Sequence, residues 1–537
     1  MSWNAEHADR HRLAAICGVF GALSLAVVQP GLPLGWDELV YASRFTAFGP
    51  ETPFSAPRTR GVPLLIAPVA ALNDSVVLLR CYLTVAASLA LYLGYLPWLW
   101  VVERRWVVPL AAALYSSVWF ALFYAGAAMP NHYVAMGLTG TVGCLLRGPG
   151  RNAPTARTYA AAAAALAGAT LMRPNDTVWP AAVLLAAALY AGARGKLPKG
   201  QALRSAAAVA GGALLGVLPW AVEARLRFGG VMERVRAAGE VQGGMGPRLS
   251  LDTLWQHAAA LDGPLLCRPC EGATVEWSSA GWWLLIPPLV ALGLHAARGD
   301  GRTAVAVLPT VAAAAVAVPY LFFMDYAAPR FLLPSYALLA PVAALGVGSA
   351  VRLARGTGQA RGTRPGRGAG VPARGVRLPR MLVPLGAAVA LLHLALQLHQ
   401  LELHSGIQAA ARKDWQRMER VLRAHGVRPP CVLAGNSSAI PVAHTAGCRS
   451  APEGRPQALV LRRSPLPGWA ARAGWHLHSV PGAYNPGWRV AVPPRRVTPY
   501  PLAAAPAPAP APASPPTPVG RAAVAGSGPP DRPAPRP

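Results

Sequence analysis

Apolar runs recur along this chain, and they limit what it can fold into more than any other feature. They are about 17–25 residues long, the length a helix needs to cross the hydrocarbon core of a bilayer. Only 13% of the 537 residues are charged, against about a quarter in a soluble domain. In lipid every backbone N–H and C=O must find its partner within the segment, so such runs form helices. Spans are expected at 13–34, 75–102, 107–127, 131–146, 157–172, 177–193, 204–221, 280–297, 303–323, 331–351 and 381–401. The fold class is an α-helical polytopic membrane protein with about eleven transmembrane helices.

The net charge of +28 does not imply a nucleic-acid partner. No basic stripe with interleaved aromatics is present, and nearly all the basic residues are arginines in the loops between spans. Positive loops mark the cytoplasmic side. One set of loops carries Glu103-Arg104-Arg105, Arg147/Arg151/Arg157, Arg194/Lys196/Lys199/Arg204, Arg298/Arg302 and the stretch 352–380. The alternate set comprises 35–74, 128–131, Arg173–Asp176, 222–279 and Asp325–Arg330. This places the N-terminus and the first set inside, with the second set and everything after about residue 402 outside. The location expected is the cell membrane, multi-pass. Arg10, His11 and Arg12 precede the first run without a clear cleavage site, so that run reads as a retained span.

Three regions follow: a multi-span unit at 1–401, an outer unit at 402–495 and a tail at 496–537. In the outer unit, Ala409 to His425 has helical spacing of Trp415, Met418, Val421 and Leu422. The segments 431–435, 458–462, 475–480 and 488–492 read as short strands between turns. A small extracytoplasmic α/β domain is the expectation. The Pro/Ala-rich tail cannot bury enough apolar surface to fold, and the Gly/Arg-rich stretch 354–379 reads as a flexible inner loop. Cys267, Cys270, Cys431 and Cys448 fall on the oxidising side, which permits bridges 267–270 and 431–448. The CRPC stretch reads as a bridge or free thiols ahead of redox chemistry. It has no second CxxC and no His partner to favour a metal.

The functional signal is the set of polar residues at the outer ends of spans, where ionisable groups mark a site by default. Asp37 and Glu38 come first. A helix over 36–48 places Asp37, Tyr41 and Arg44 on one face, as a site or as a capped, solvated helix. Arg58 and Arg60 lie on an interfacial segment and either bind phosphate or snorkel to headgroups. Asn131 and His132, in the turn MPNHY, are substrate or metal ligands if not merely solvated. Arg173 and Asp176 cap helix ends or serve the site. Asp325 and Arg330 flank a late span, and a buried Arg suits bidentate phosphate binding.

Four stretches together resemble the GT-C superfamily of membrane glycosyltransferases, and within it the protein O-mannosyltransferase and aminoarabinose transferase branches. WDELVY resembles the acidic motif of the first outer loop. RTRGVPLLIAPVAAL with Leu79-Arg80 resembles the interfacial segment feeding the second span. LMRPND resembles a mid-chain Arg-Pro turn, and PRFLLPSYALLAPVAALGV a late Arg-aromatic-Leu-Leu-Pro span. Where many relatives carry a further acid, this chain has Pro130-Asn131-His132, a departure from two-acid or metal-assisted schemes.

The resemblance implies transfer of a sugar from a polyprenyl-phosphate-linked donor to an extracytoplasmic acceptor (glycan, lipid or protein) at the surface of membrane lipid. In that reading Asp37 is the catalytic base and Glu38 orients it or joins a metal. Arg58, Arg60 and Arg330 bind phosphate. No cofactor is assigned, and a divalent metal ion is left open. The alternatives are a transporter or flippase for lipid-linked sugars and a non-catalytic membrane scaffold. A transporter would carry mid-membrane charges and paired repeats, which are not seen.

Overall fold

The computed structural model describes residues 3–147, 153–244, 246, 251–263, 265–266, 274–354, 382–435, 439–451 and 456–494. The tail 496–537, the inner loop from 355 onward and the Cys267–Cys270 pair lie outside the described residues.

The apolar runs become helices α1 (Trp3–Val27), α2 (Trp36–Ala42), α3 (Gly61–Ala70), α4 (Val76–Tyr95), α5 (Val107–Ser116), α6 (Trp119–Ala125), α7 (Asn131–Leu145), α8 (Ala156–Met172), α9 (Pro174–Ala193) and α10 (Lys199–Phe228). They are followed by α11 (Val231–Val241), α12 (Asp252–Ala259), α13 (Trp277–Ala280), α14 (Ile286–Gly299), α15 (Ala304–Phe322), α16 (Leu333–Ala354) and α17 (Leu382–Ala424). Among the described residues, 8 helices are long and apolar enough to cross a membrane, or 9 if the bent pair α5 and α6 is one span. The two further spans expected from the sequence, at 131–146 and 157–172, are the shorter helices α7 and α8, of 15 and 17 residues. These two pack along each other. A Cβ on Gly137 would stand 2.7 Å from the Ala165 carbonyl, so a small residue is what lets the two backbones approach.

The expected span 107–127 is broken by a 79° bend. Val118 is extended there, at φ −72° and ψ 126°. The Trp119 N–H, left without an intrahelical acceptor by the break, donates to Gln397 Oε1 of α17 at 2.9 Å.

Charged residues gather at one end of the bundle. Arg104 pairs with Asp300 at 2.8 Å and Arg302 with Glu103 at 3.2 Å. The Arg10 and Arg147 guanidiniums lie over the Trp100 ring, 5.3 and 4.8 Å from its centre. This basic cluster sits where α1 begins. The segment carrying α2 lies past the other end of α1, roughly 37 Å away at 1.5 Å per residue.

Helix α17 runs 43 residues without interruption. The expected span 381–401 and the expected amphipathic helix 409–425 are thus one rod, which carries a small mixed sheet on its C-terminal part. The strands are β1 (Val432–Gly435), β2 (Arg449–Ser450), β3 (Ala458–Arg462), β4 (His476–Ser479) and β5 (Trp488–Val492), in the order β2-β1-β3-β5-β4. β1 is parallel to β2 and β3; β5 is antiparallel to β3 and β4. The four strands expected from the sequence are present, and β2 is an addition of 2 residues. Cys431 and Cys448 form the expected disulfide. Asp414 of α17, fully buried, accepts the Tyr484 and Asn485 N–H groups at 2.7 and 2.9 Å, fixing the sheet to the rod. Helices α18 (Ala439–Thr445) and α19 (Gly468–Arg472) flank the sheet.

Candidate functional site

Helix α2 is short because its capping groups enclose it. The Glu38 carboxylate reaches back to the Gly35 N–H at 2.7 Å, satisfying a free donor of the first turn. At the other end Ser43 Oγ meets Thr52 Oγ1 at 2.9 Å and accepts from the Thr52 N–H at 3.2 Å. That contact closes the loop and stops the helix at Ala42.

The segment after this loop is held from several sides. His444 Nε2 of α18 donates to the Phe48 carbonyl at 2.9 Å. Arg234 of α11, fully buried, donates to the Ala56 and Arg58 carbonyls at 3.0 and 2.7 Å. Thr59 Oγ1 donates to the Met172 carbonyl at 2.7 Å. Arg58 is therefore presented from a fixed backbone.

Three distant parts of the chain meet at Asp37. Arg58 Nη2 donates to Oδ1 at 2.7 Å, and Arg330 Nη2 to Oδ2 at 3.2 Å. Both arginines are more than nine-tenths buried, whereas the Asp37 side chain keeps 32% of its surface. It faces a cavity of about 240 Å³ walled by Leu32, Trp36, Phe123, Tyr124, Met129 and Trp415. Burial alone would raise the Asp37 carboxyl; the Arg58 and Arg330 charges outweigh it and hold it below the usual aspartate value. Arg58 also lies over the rings of Trp36 and Tyr41, at 4.8 and 5.1 Å. Arg330, in the tight turn Pro329–Leu332 that opens α16, donates to Tyr124 Oη at 3.1 Å and to the Leu265 carbonyl at 2.8 Å.

Glu38 has a different environment. It accepts from Arg80 Nη1 and Nη2, each at 3.1 Å, from Arg412 at 3.4 Å, from the Ala128 N–H at 3.0 Å and from Gly35. A carboxylate offers about four lone-pair sites, so these donors use its full capacity. Burial pushes the group up, and Arg80 and Arg412 more than reverse that. Gly35 belongs to the same arrangement: a Cβ there would lie 3.1 Å from Arg412 Nη2 and 3.2 Å from Glu38 Oε2.

Arg173 adds a third cation near Asp37. It is extended between α8 and α9 because Pro174 follows, and Pro174 opens α9. It pairs with Asp176 at 3.0 Å and lies over the Phe331 ring at 5.3 Å. Asp176 is buried and also accepts from Tyr320 Oη.

Other candidates stand elsewhere. The helix expected over 36–48 ends at Ala42, so Arg44 does not share the Asp37 face; it pairs with Glu51 and the Thr52 carbonyl. Arg60 is drawn to Glu223, with Nε at 3.2 Å. His132 is a core residue. Its Nδ1 meets Tyr115 Oη at 3.0 Å, its Nε2 donates to the Ala87 carbonyl at 2.9 Å, and its ring stacks on Phe20. Asn131 is buried at the start of α7, and Asp325 is half-buried; neither lines the cavity.

Arg80, Arg412 and Tyr124, which line the cavity and hold Glu38 and Arg330, were not among the candidates from the sequence. Arg80 had a signal, a charge inside the apolar run VVLLRCYLTV. Arg412 and Tyr124 had none.

The donor set does not suit a divalent cation. Each carboxylate faces two guanidiniums, and both His132 nitrogens are engaged. Among the described residues no group of three or more His, Cys, Asp or Glu side chains is placed to hold a metal.

No family model matches the sequence, and no curated protein matches it. Solved structures do. ArnT from Cupriavidus metallidurans in the apo state matches with a TM-score of 0.53 over 89% of this chain and 97% of that one, at 12% identity. The chain has the GT-C membrane-glycosyltransferase fold. ArnT bound to undecaprenyl phosphate gives a TM-score of 0.48 at 14% identity, with coverage of 89% and 97%. The archaeal oligosaccharyltransferase AglB from Archaeoglobus fulgidus, in complex with an inhibitory peptide and a dolichol-phosphate, gives 0.48 at 12% identity over 84% of this chain. This chain spans 65% of the AglB length, less than two thirds.

Proposed function

We propose that this chain is a glycosyltransferase that moves a sugar from a polyprenyl-phosphate-linked donor to an acceptor on the extracytoplasmic face, with inversion at the anomeric carbon. The observation that carries the reading is a partly open carboxylate, Asp37, that lines one cavity together with Arg330 and is paired with both Arg330 and Arg58. The charged cluster around Arg104 and Arg302 lies at the opposite end of the bundle, and the positive-inside rule supports the reading that the cavity and the sheet carried by α17 are outside.

The chemistry follows from the charges. The donor phosphate is the leaving group, and guanidiniums in a water-poor site stabilise the charge it gains. Arg330, which lines the cavity, is the group to meet the phosphate, and the Arg58 and Arg173 charges lie behind it around Asp37. Leu32, Phe123 and Met129 offer an apolar wall to the first isoprene units.

As the phosphate departs, the anomeric carbon becomes cationic and the acceptor hydroxyl bonds to it. The bond from that carbon to the phosphate oxygen breaks, and the polyprenyl phosphate leaves with the electron pair. The hydroxyl becomes strongly acidic as its oxygen bonds to the cation, so a carboxylate with a lowered pKa suffices to take the proton. Asp37 is that base. Glu38, saturated by its donors, positions α2 and its Asp37 without touching substrate. Undecaprenyl phosphate is the ligand of one ArnT structure; the proposal for this chain rests on its own residues.

The test is incubation of the purified protein in lipid with a panel of polyprenyl-phospho-sugars, measuring released polyprenyl phosphate with and without chelator. Release with at least one donor is expected, equal in both arms. Absence of release across the panel contradicts the reading.

A further inference from the structure

One face of α17 reaches into the cavity that Asp37 lines. Gln408, Arg412 and Trp415 lie at i, i+4 and i+7 on that helix, a spacing that puts them on one side, and all three line the cavity. Arg412 ties this face to the start of α2. It donates to the Pro33 carbonyl and meets Glu38 at 3.4 Å. Its guanidinium lies 6.0 Å from the Trp415 ring centre. Trp415 is half-buried and packs against the core between α17 and the sheet.

The charges that line the cavity are already engaged. Asp37 holds Arg58 and Arg330, and Glu38 holds Arg80 and Arg412. Gln408 differs. Its side chain is half-buried at the cavity wall, and among the described residues no hydrogen bond occupies its amide. A glutamine amide offers a carbonyl acceptor and two N–H donors, so it can meet two neighbouring hydroxyls of a sugar ring, accepting from one and donating to the other. An indole beside it supplies a broad apolar surface for the C–H face of the same ring. Trp36 and Trp415 both line the cavity.

We infer that this face of α17 reads the donor sugar, that Gln408 selects among its hydroxyls, and that the sugar carries no ammonium group. The inference deepens the sugar-transfer reading and rests on it. Arg330 meets the donor phosphate in that reading, so the sugar bonded to the phosphate occupies the rest of the same cavity. A cationic sugar would face the lining guanidiniums of Arg80, Arg330 and Arg412, and the carboxylates of Asp37 and Glu38 already have partners. A neutral sugar asks only for hydrogen bonds and an apolar surface, which Gln408 and Trp415 offer. The helix that carries the outer sheet thereby takes part in the choice of sugar.

Turnover of a donor panel tests it. Full-length protein in nanodiscs receives polyprenyl phosphate carrying glucose, mannose, galactose or 4-amino-4-deoxyarabinose, and released polyprenyl phosphate is measured. Release from a neutral donor is expected to exceed release from the amino sugar. Gln408→Leu keeps the side-chain bulk and a good helix former but removes the amide. It is expected to lower kcat/KM for the preferred neutral donor about tenfold, the loss of a neutral hydrogen bond. It should also narrow the preference between epimers, which differ at one hydroxyl, and leave calorimetric binding of bare polyprenyl phosphate unchanged. A merely structural role would weaken all donors and bare polyprenyl phosphate alike. Gln408→Ala is the second variant, and melting temperatures show that the variants fold. Unchanged kcat/KM and unchanged epimer preference in the folded variants overturn the inference and leave sugar transfer standing. So does a preference of the unaltered protein for the amino sugar. Release from none of the donors by the unaltered protein defeats the sugar-transfer reading, and this inference with it.

Discussion

Asp37 and Arg330 are 293 positions apart in the chain and 3.2 Å apart in space. Helices α3 to α15 lie between them in the chain and have to pack correctly, so the contact reports the assembled bundle rather than a local motif. Removing the arginine charge should therefore affect ligand binding more than the fold. Arg330→Gln is expected to raise the KM for a polyprenyl-phospho-sugar about tenfold or more, the loss of a charge-assisted contact. Steady-state kinetics read this directly, and an unchanged KM would remove Arg330 from the phosphate grip.

The sign of the Asp37 shift gives a pH prediction. Its carboxyl is lowered because Arg58 and Arg330 outweigh burial. The base is thus ionised throughout the neutral range, and the acid limb of the activity profile falls below the ordinary aspartate value of about 3.9. In Arg58→Gln one opposing charge is gone and burial gains weight, so the limb moves upward. Rate profiles for the two proteins from about pH 2 to 8, a range that spans the ordinary aspartate value, make the comparison; a limb that stays in place speaks against Asp37 as the titrating group.

Glu38 should matter for stability. It is 5% exposed and faces Arg80 and Arg412. Breaking such a buried pair costs about 3–5 kcal/mol because the remaining charges are left uncompensated. Glu38→Gln is expected to lower the melting temperature in detergent, with the donor KM of the surviving folded fraction little changed. The lowered Glu38 pKa sets the sign: its contribution is present above the unfolded value and fades as pH falls through the folded one. A variant as stable as the parent would place Glu38 outside the scaffold.

The disulfide should hold the sheet. Cys431 and Cys448 are 17 positions apart, a loop for which cross-linking contributes about 3 kcal/mol by chain entropy. Reduction is expected to expose residues around β1 and β2 to limited proteolysis while α1–α16 remain protected. Equal cleavage rates with and without reductant would argue against that role.

Much of the fold was legible because it follows from apolar length and alternation. The spans answer to runs that lipid requires to be helical, and β1, β3, β4 and β5 answer to short apolar segments between Gly and Pro turns. Asp37, Arg58, Arg173 and Arg330 were legible as charges at span ends, where an unpaired group is costly. Arg44 was misplaced because a side-chain contact, Ser43 to Thr52, ends α2 early, and helical periodicity does not register such a cap. Arg60 was misplaced because its partner, Glu223, lies 163 positions away. His132 looked like a turn residue because the helix start at Asn131 and the carbonyl of Ala87 come from tertiary packing. The α7 and α8 lengths and the α5–α6 bend depend on neighbouring helices in the same way.

The most direct measurement is release of polyprenyl phosphate by Asp37→Asn, an isosteric change that keeps the cavity and removes the base. A fall of about a hundredfold or more is expected, the usual contribution of a general base, with melting temperature and donor binding retained. A folded Asp37→Asn protein that transfers sugar at the parental rate would contradict the account.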